Sequence, residues 1–427
     1  MRVLVVGSGA REHALAARLA ADPDPVEIVS APGNPGLATL GRTVNTDLSS
    51  PAAVLDLAVR ERVDFTVVGP ELPLSVGIAD HFASAGRLLL GPTRAAARLE
   101  SSKAFAKAFM ARHAVPTARF RTCESLDEGL AVVRSGEFGS PLVLKADGLA
   151  AGKGVVIAED RASAEAAVMA AMRERRFGAA GDRLVVEECL VGPELSFFVL
   201  SDGTHAVPIG SAQDHKRIFD GDRGPNTGGM GAFAPSVLLD EPLQAQIIRQ
   251  VVEPVIAGMA EEGHPYRGFL YVGLMLTASG PKVIEFNVRL GDPEAQVILP
   301  LVDEPLTPLL TAAAEGTLRE SASRTGSDKL VGVVLAARGY PEAPETGQPI
   351  HGLEEAARVP NVAVFHAGTA RRDGVLVSSG GRVLTVVARG AGFDQAVARA
   401  YEGVSKVQFA GMQYRRDIGR KALQVAH

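Results

Sequence analysis

Short apolar runs alternate with helix-forming stretches through the first hundred residues, and this alternation restricts the fold more than any other feature. The runs at 3–6, 26–30, 65–68 and 88–90 read as strands, and 11–20 has helical composition. Strands separated by helices need crossover connections, so the sheet is parallel. Three polar turns follow strand ends: Gly7-Ser-Gly-Ala-Arg-Glu-His13, Pro32-Gly-Asn-Pro-Gly36 and Gly69-Pro-Glu71. Ligands of open parallel sheets bind beyond the carboxyl ends of the strands, which is where these turns lie. The first turn resembles a dinucleotide fingerprint, but Glu12 stands where the third glycine belongs, which argues against a nicotinamide cofactor. It is either a polar-ligand site at a helix N-terminus or an ordinary tight turn.

A second region begins near Ser102. Residues 103–112 read as a helix, and Ser125-Leu-Asp-Glu128 reads as a capping box. The strand at 142–146 runs into Asp147-Gly-Leu-Ala-Ala-Gly-Lys-Gly154 and returns through 155–157. A glycine-rich turn of this kind lets backbone N–H groups approach phosphates, with Lys153 at its tip. The spacing is not that of a P-loop, and no Ser or Thr follows the lysine. A strand at 184–190 places Glu187 and Glu188 on opposite faces, with at least one expected in solvent.

Lysine is scarce: nine of the 44 basic residues, none in the first hundred positions. Lys103, Lys107, Lys145, Lys153 and Lys216 nevertheless all fall in the central region. A compact ammonium suits a point contact with phosphate. Lys145 and Lys153 are read that way, whereas Lys107 is the lysine expected to be an ordinary surface cation.

Two further segments combine with these. Asp222-Arg-Gly-Pro-Asn-Thr-Gly-Gly-Met-Gly231 is too glycine-rich for a regular element and follows Gln213-Asp-His-Lys-Arg217. A hairpin of 269–277 and 282–287 ends in Glu285-Phe-Asn-Val-Arg289, followed by Leu-Gly-Asp292-Pro-Glu294. Side chains alternate along a strand, so Glu285, Asn287 and Arg289 share a face. Two oxygen ligands beside a cation suit magnesium, whose other positions go to waters and substrate phosphates. The competing reading is an exposed strand edge with an internal Glu–Arg pair.

The last region, from about 330, reads as strands at 331–337, 362–365, 375–377 and 383–387 and a helix at 393–406. It forms a small α+β module covering the substrate site, with Arg371-Arg-Asp-Gly374 as a turn. A length of 427 residues suits about three domains. The net charge of −5 argues against a nucleic-acid surface. Two cysteines exclude a disulfide framework or a Cys-rich zinc site. The chain opens on a strand without a secretory leader and has no stretch of ~20 apolar residues, so a cytoplasmic protein that spans no membrane is expected.

Together the motifs resemble the glycinamide ribonucleotide synthetase family of the ATP-grasp superfamily. The resemblance rests on Gly7–His13, Lys145–Gly154, Gln213–Arg217, Gly224–Gly231 and Arg289–Glu294, and covers essentially the whole chain. Departures are small: Ala10 in place of a frequent Gly, and Val288 and Leu290 in place of Cys and Phe. The fold it implies is α/β: an N-terminal open parallel-sheet domain (1–102), an ATP-grasp core (103–325, lid about 122–190) and a C-terminal α+β domain (326–427). The partners implied are ATP, glycine and 5-phosphoribosylamine, with magnesium or manganese, in a monomer or weak homodimer. Another ATP-grasp ligase or carboxylase of purine metabolism, or a non-catalytic nucleotide-binding module, are the alternatives.

The resemblance also implies roles. Lys103, Lys145, Gly152, Lys153 and Gly154 face ATP phosphates. Glu187, Glu188 and Leu190 form the adenine hinge through backbone groups, and Glu194 takes the ribose hydroxyls. Glu285 and Asn287 bind the metal. No acidic residue lies between Gly268 and Leu276, where many ATP-grasp proteins place another metal ligand. Asp214 and Arg289 hold the ends of glycine, with Lys216 and Asp292 beside the chemistry. Gly9, Arg11, Glu12, Asn34, Pro70, Glu71, Asn226, Thr227 and Gly228 face the substrates.

Overall fold

The computed structural model describes residues 1–149, 154–319 and 326–425. Strands β1 (Arg2–Gly7), β2 (Glu27–Pro32), β3 (Gly41–Thr43), β4 (Phe65–Val68) and β5 (Leu89–Leu90) form a parallel sheet in the order β3-β2-β1-β4-β5. Val3, Leu4, Val5 and Val6 are fully buried, because both faces of a parallel sheet are covered. β2 and β4 flank β1, so the strand order reverses at the end of β1. There the chain turns through Gly7 into helix α1 (Ala10–Ala20). β3 has no apolar signature: its residues are Gly, Arg and Thr, two of them exposed.

Helix α2 (Lys103–Arg112) is capped by Ser102, whose Oγ accepts from Phe105 N at 3.1 Å. Strands β6 (Phe120–Cys123), β7 (Leu142–Ala146), β8 (Val155–Ala158) and β9 (Leu184–Glu188) form an antiparallel sheet in the order β6-β9-β7-β8. The turn between β7 and β8 carries Gly152 and Lys153, which lie outside the described residues.

Beyond it come β10 (Glu194–Asp202), β11 (Ala206–Asp214), β12 (Arg217–Phe219), β13 (Arg223–Asn226), β14 (Gly231–Ala234), β15 (Arg267–Thr277) and β16 (Gly280–Asn287). The C-terminal domain contributes β17 (Lys329–Ala336), β18 (Val362–His366), β19 (Thr369–Arg372), β20 (Val375–Ser378), β21 (Arg382–Gly390) and helix α3 (Phe393–Lys406). One eight-stranded antiparallel sheet runs β16-β15-β10-β11-β14-β17-β21-β18. β14 joins β17 by pairing Gly231 with Val333, so the C-terminal domain is built onto the central sheet. α3 packs on that extension, burying Phe393, Ala396, Ala400 and Val404.

The glycine-rich segment is more regular than expected. β12 and β13 pair as a two-stranded ribbon, Arg217 opposite Asn226 and Phe219 opposite Arg223. Main-chain hydrogen bonds hold the ribbon, and of its residues only Ile218 is buried, beside Met230 and Ala336, which is why composition did not reveal it. Among the described residues no helix is long and apolar enough to cross a membrane.

Candidate active site

The carboxyl ends of β1 and β4, helix α2, strands β7 and β16, and the C-terminal domain surround one cleft of about 640 Å³. Its walls bring together Arg11, Pro70, Glu71, Lys103, Lys145, Gly154, Asp214, Lys216, Asn226, Thr227, Gly228, Glu285, Asn287, Arg289 and Asp292. Sequence reasoning missed others in the same lining: Glu100, Lys107, Tyr271, Glu294, Tyr340 and Arg382. Glu294 lay inside a quoted motif and Glu100 three residues before Lys103. Arg382 and Tyr340 had no sequence signal at all.

One wall is cationic. Lys103 Nζ donates to Gly148 O at 2.8 Å, and Lys145 Nζ donates to Ile284 O at 2.9 Å. Burial lowers the pKa of Lys103 despite Glu285 and Asp147 nearby. Asp147 is fastened to the start of α2, accepting from Ala104 N and Ser102 Oγ at 3.2 Å each. This anchors one end of the glycine-rich turn against Lys103. The expectation for Lys107 is corrected: it is 2% exposed and ion-paired with Glu187 inside the wall. A helical face that also buries Ala106 and Met110 carries it inward.

Glu285 and Asn287 project from β16 on the same side as Arg289. Asn287 Oδ1 accepts from Arg289 Nη2 at 3.2 Å. Burial favours the neutral form of Glu285, but Lys216, Lys145, Lys103 and Arg289 outweigh it and hold its pKa below the ordinary value. Its side chain is solvent-accessible while its depth in the cleft limits hydration. An ionised carboxylate and an amide oxygen suit a hard divalent cation. No cluster of three or more His, Cys, Asp or Glu ligands occurs among the described residues, so further ligands would come from substrate and water.

Arg289 is the junction of the cleft. Its Nη2 donates to Glu100 Oε1 at 2.8 Å, its Nε lies 3.4 Å from Glu71 Oε2, and Nη1 donates to Leu290 O at 3.1 Å. Nε is buried without a hydrogen-bond partner. Opposite lie Asp214 and Glu294, both pushed up in pKa by burial, with Glu194 and Glu285 adding to the shift of Asp214 and Asp214 adding to that of Glu294. Lys216 pairs with Glu194 at 2.6 Å.

The C-terminal domain closes the far side. Arg382 Nη1 donates to Gly228 O at 2.6 Å and Asp292 O at 2.5 Å, while Gly228 N donates to Tyr340 Oη at 2.9 Å. Gly229 has φ +110°, and a Cβ there would fall 2.5 Å from Pro293 Cδ, so the loop admits only glycine at that point.

Some expected residues lie elsewhere. Glu12 is 1% exposed and absent from the cleft lining, with its carboxylate accepting from Gly9 N at 2.5 Å and Arg11 Nε at 2.6 Å. A Cβ on Gly69 would collide with its Oε1 at 2.0 Å, so the two flanking turns close around this side chain. Asn34 is also outside the lining, its amide donating to Ser8 O and His366 O at 2.8 Å each. Gly9 lies beneath, where a Cβ would be 3.6 Å from Asp292 Oδ2. Glu187 reaches the lysines with its side chain, while its backbone is paired in the sheet on both sides. Glu188 binds Arg119 Nε at 2.8 Å and Lys282 at 3.4 Å, so neither carboxylate is free in solvent. Leu190 follows β9 and is half-buried.

Three family models cover the chain. They are the N, ATP-grasp (A) and C domains of phosphoribosylglycinamide synthetase, matching residues 1–100, 101–295 and 330–421. The chain belongs to the phosphoribosylglycinamide synthetase family. This family comprises ATP-dependent, ADP-forming carbon–nitrogen ligases. A phosphoribosylamine–glycine ligase of Xylella fastidiosa is 49% identical over 434 residues, spanning 100% of this chain and 99% of that one. One from Neisseria meningitidis serogroup A is 46% identical over 425 residues, spanning 99% and 100%. The crystal structure of phosphoribosylamine–glycine ligase from Thermotoga maritima has a TM-score of 0.85 and 35% identity, covering 98% of this chain and 100% of its own. Biotin carboxylase from Campylobacter jejuni, at 16% identity and TM-score 0.75, shares the synthetase fold alone.

Proposed function

We infer that the cleft joins glycine to 5-phosphoribosylamine with ATP, releasing glycinamide ribonucleotide, ADP and phosphate, the purine-biosynthetic reaction of its family. One observation carries the assignment of roles: cations for a polyphosphate, oxygens for a metal, and an acid pair beside an arginine line the same cleft. A carboxylate is a poor acyl donor at neutral pH. Transfer of the terminal phosphoryl group to a glycine carboxylate oxygen gives glycyl phosphate and ADP. The amine nitrogen then attacks the carbonyl carbon, the carbon–oxygen bond to phosphate breaks, and the nitrogen loses a proton. Phosphoryl transfer requires positioning and charge neutralisation rather than a protein nucleophile.

Lys103 and Lys145 face the polyphosphate. Glu285 and Asn287 would hold magnesium, with manganese as a substitute, and such an ion would supply charge neutralisation for the phosphates. Glycine is a zwitterion. Glycine's ammonium meets the Asp214–Glu294 pair, whose charged forms burial disfavours, and its carboxylate meets the Arg289 guanidinium. Arg11, Pro70, Glu71, Asn226, Thr227 and Gly228 of the same lining are left for phosphoribosylamine.

The test is isotopic. Glycine labelled with heavy oxygen in its carboxylate should pass one labelled atom to inorganic phosphate per turnover. Unlabelled phosphate, with the expelled labelled oxygen found in water instead, would refute glycyl phosphate.

A further inference from the structure

Lys107 has no role in the family resemblance, yet it lies in the cleft wall one helical turn beyond Lys103. Its ammonium meets Oε2 of Glu187, and Lys145 meets Oε1 of the same carboxylate. Glu187 is 2% exposed. Lys107 also donates to Thr117 Oγ1 at 2.8 Å, and Thr117 donates to Val283 O at 2.7 Å. Lys145 donates to the next carbonyl, Ile284 O, which directly precedes Glu285. Both lysines are thereby registered against β16 at neighbouring residues.

The charge balance is decisive. Lys145 and Glu187 alone would cancel, leaving Lys103 to attract a polyphosphate without help from Lys145. With Lys107 included, two ammonium groups share one carboxylate and a positive charge is left over. We propose that Lys107 is a positioning residue for the nucleotide, sharing Glu187 so that Lys145 keeps an uncompensated charge toward the phosphates. This rests on the reading that ATP occupies this end of the cleft. Around Lys107 the charged groups are Glu187, Lys145 and, farther off, Glu188, with the Phe120 ring centroid 5.6 Å away. Burial pulls its pKa down to about 8, so the surplus charge is present below that pH and lost above it.

The experiment titrates the full-length protein with the magnesium salt of a non-hydrolysable ATP analogue, from pH 7 to pH 9. Wild type should weaken by about threefold or more across that range. Lys107→Met should bind roughly tenfold more weakly at pH 7, lose this pH dependence, and leave the glycine KM unchanged. Lys107→Arg should restore binding to within about threefold of wild type. Wild-type affinity and pH slope in the Met variant would overturn the proposal, as would an equal loss for glycine. If the Met variant does not fold, Lys107→Gln supplies the same comparison, and wild-type affinity in it overturns the idea. A wild-type protein that fails to bind the analogue at all refutes the nucleotide reading itself, a result distinct from unaltered binding in the Met variant.

Discussion

Arg382 and Asp292 are joined twice: the guanidinium donates to the Asp292 carbonyl at 2.5 Å and lies 3.3 Å from its carboxylate. The same Nη1 also reaches Gly228 O. One C-terminal side chain therefore ties the glycine-rich loop to the segment that follows β16. Burial opposes ionisation of Asp292, but Arg382 and Arg11 hold its pKa below the usual range. Arg382→Ala strands this carboxylate and two carbonyls, and should lower kcat/KM on the order of 100-fold. Arg382→Lys should fall between. Steady-state kinetics with wild-type values in the Ala variant would detach the C-terminal domain from the site.

Arg289→Lys tests the zwitterion site. The fork spans Glu100 and Glu71, which a single ammonium cannot bridge. The glycine KM should rise roughly tenfold or more while the ATP KM holds. An increase confined to ATP would move Arg289 to the phosphate end.

Glu285→Gln keeps the shape of the side chain and removes its charge. Activity should collapse at limiting magnesium, with the unfolding midpoint close to wild type. Normal turnover under those conditions would take Glu285 out of the metal site.

His215 should make the fold acid-sensitive. Its ring is 1% exposed, and neither nitrogen has a hydrogen-bond partner. Burial, with Arg415 and Lys421 nearby, lowers its pKa from 6.5 to about 4. The unfolded chain takes up the proton first, so stability is intact above pH 6.5 and declines as pH falls toward 4. Between pH 7 and pH 5 this one group should cost about 2 kcal/mol. Denaturant titrations of wild type and His215→Phe should differ in that pH dependence. Identical acid profiles would show that His215 is not responsible.

The opening parallel sheet, α2 and the hairpin bearing Glu285 and Asn287 were legible because each is local. Continuous apolar runs mark strands buried on both faces, and period-two alternation placed Glu285, Asn287 and Arg289 on one side. Motif spacing likewise named the loops that meet in the cleft. Three things depended on contacts between distant parts of the chain. Lys107 reads as a surface lysine until Glu187, 80 positions along the chain, is folded beneath it. Glu12 reads as a ligand group until Gly7, Gly9 and Gly69 close around it. Arg382 carries no motif, and only the pairing of β14 with β17 brings its strand to Gly228 and Asp292. Periodicity encodes which face of an element is apolar. Which buried charge meets which partner is set by long-range strand pairing and the cost of leaving a charge unpaired, and so is decided only in the folded chain.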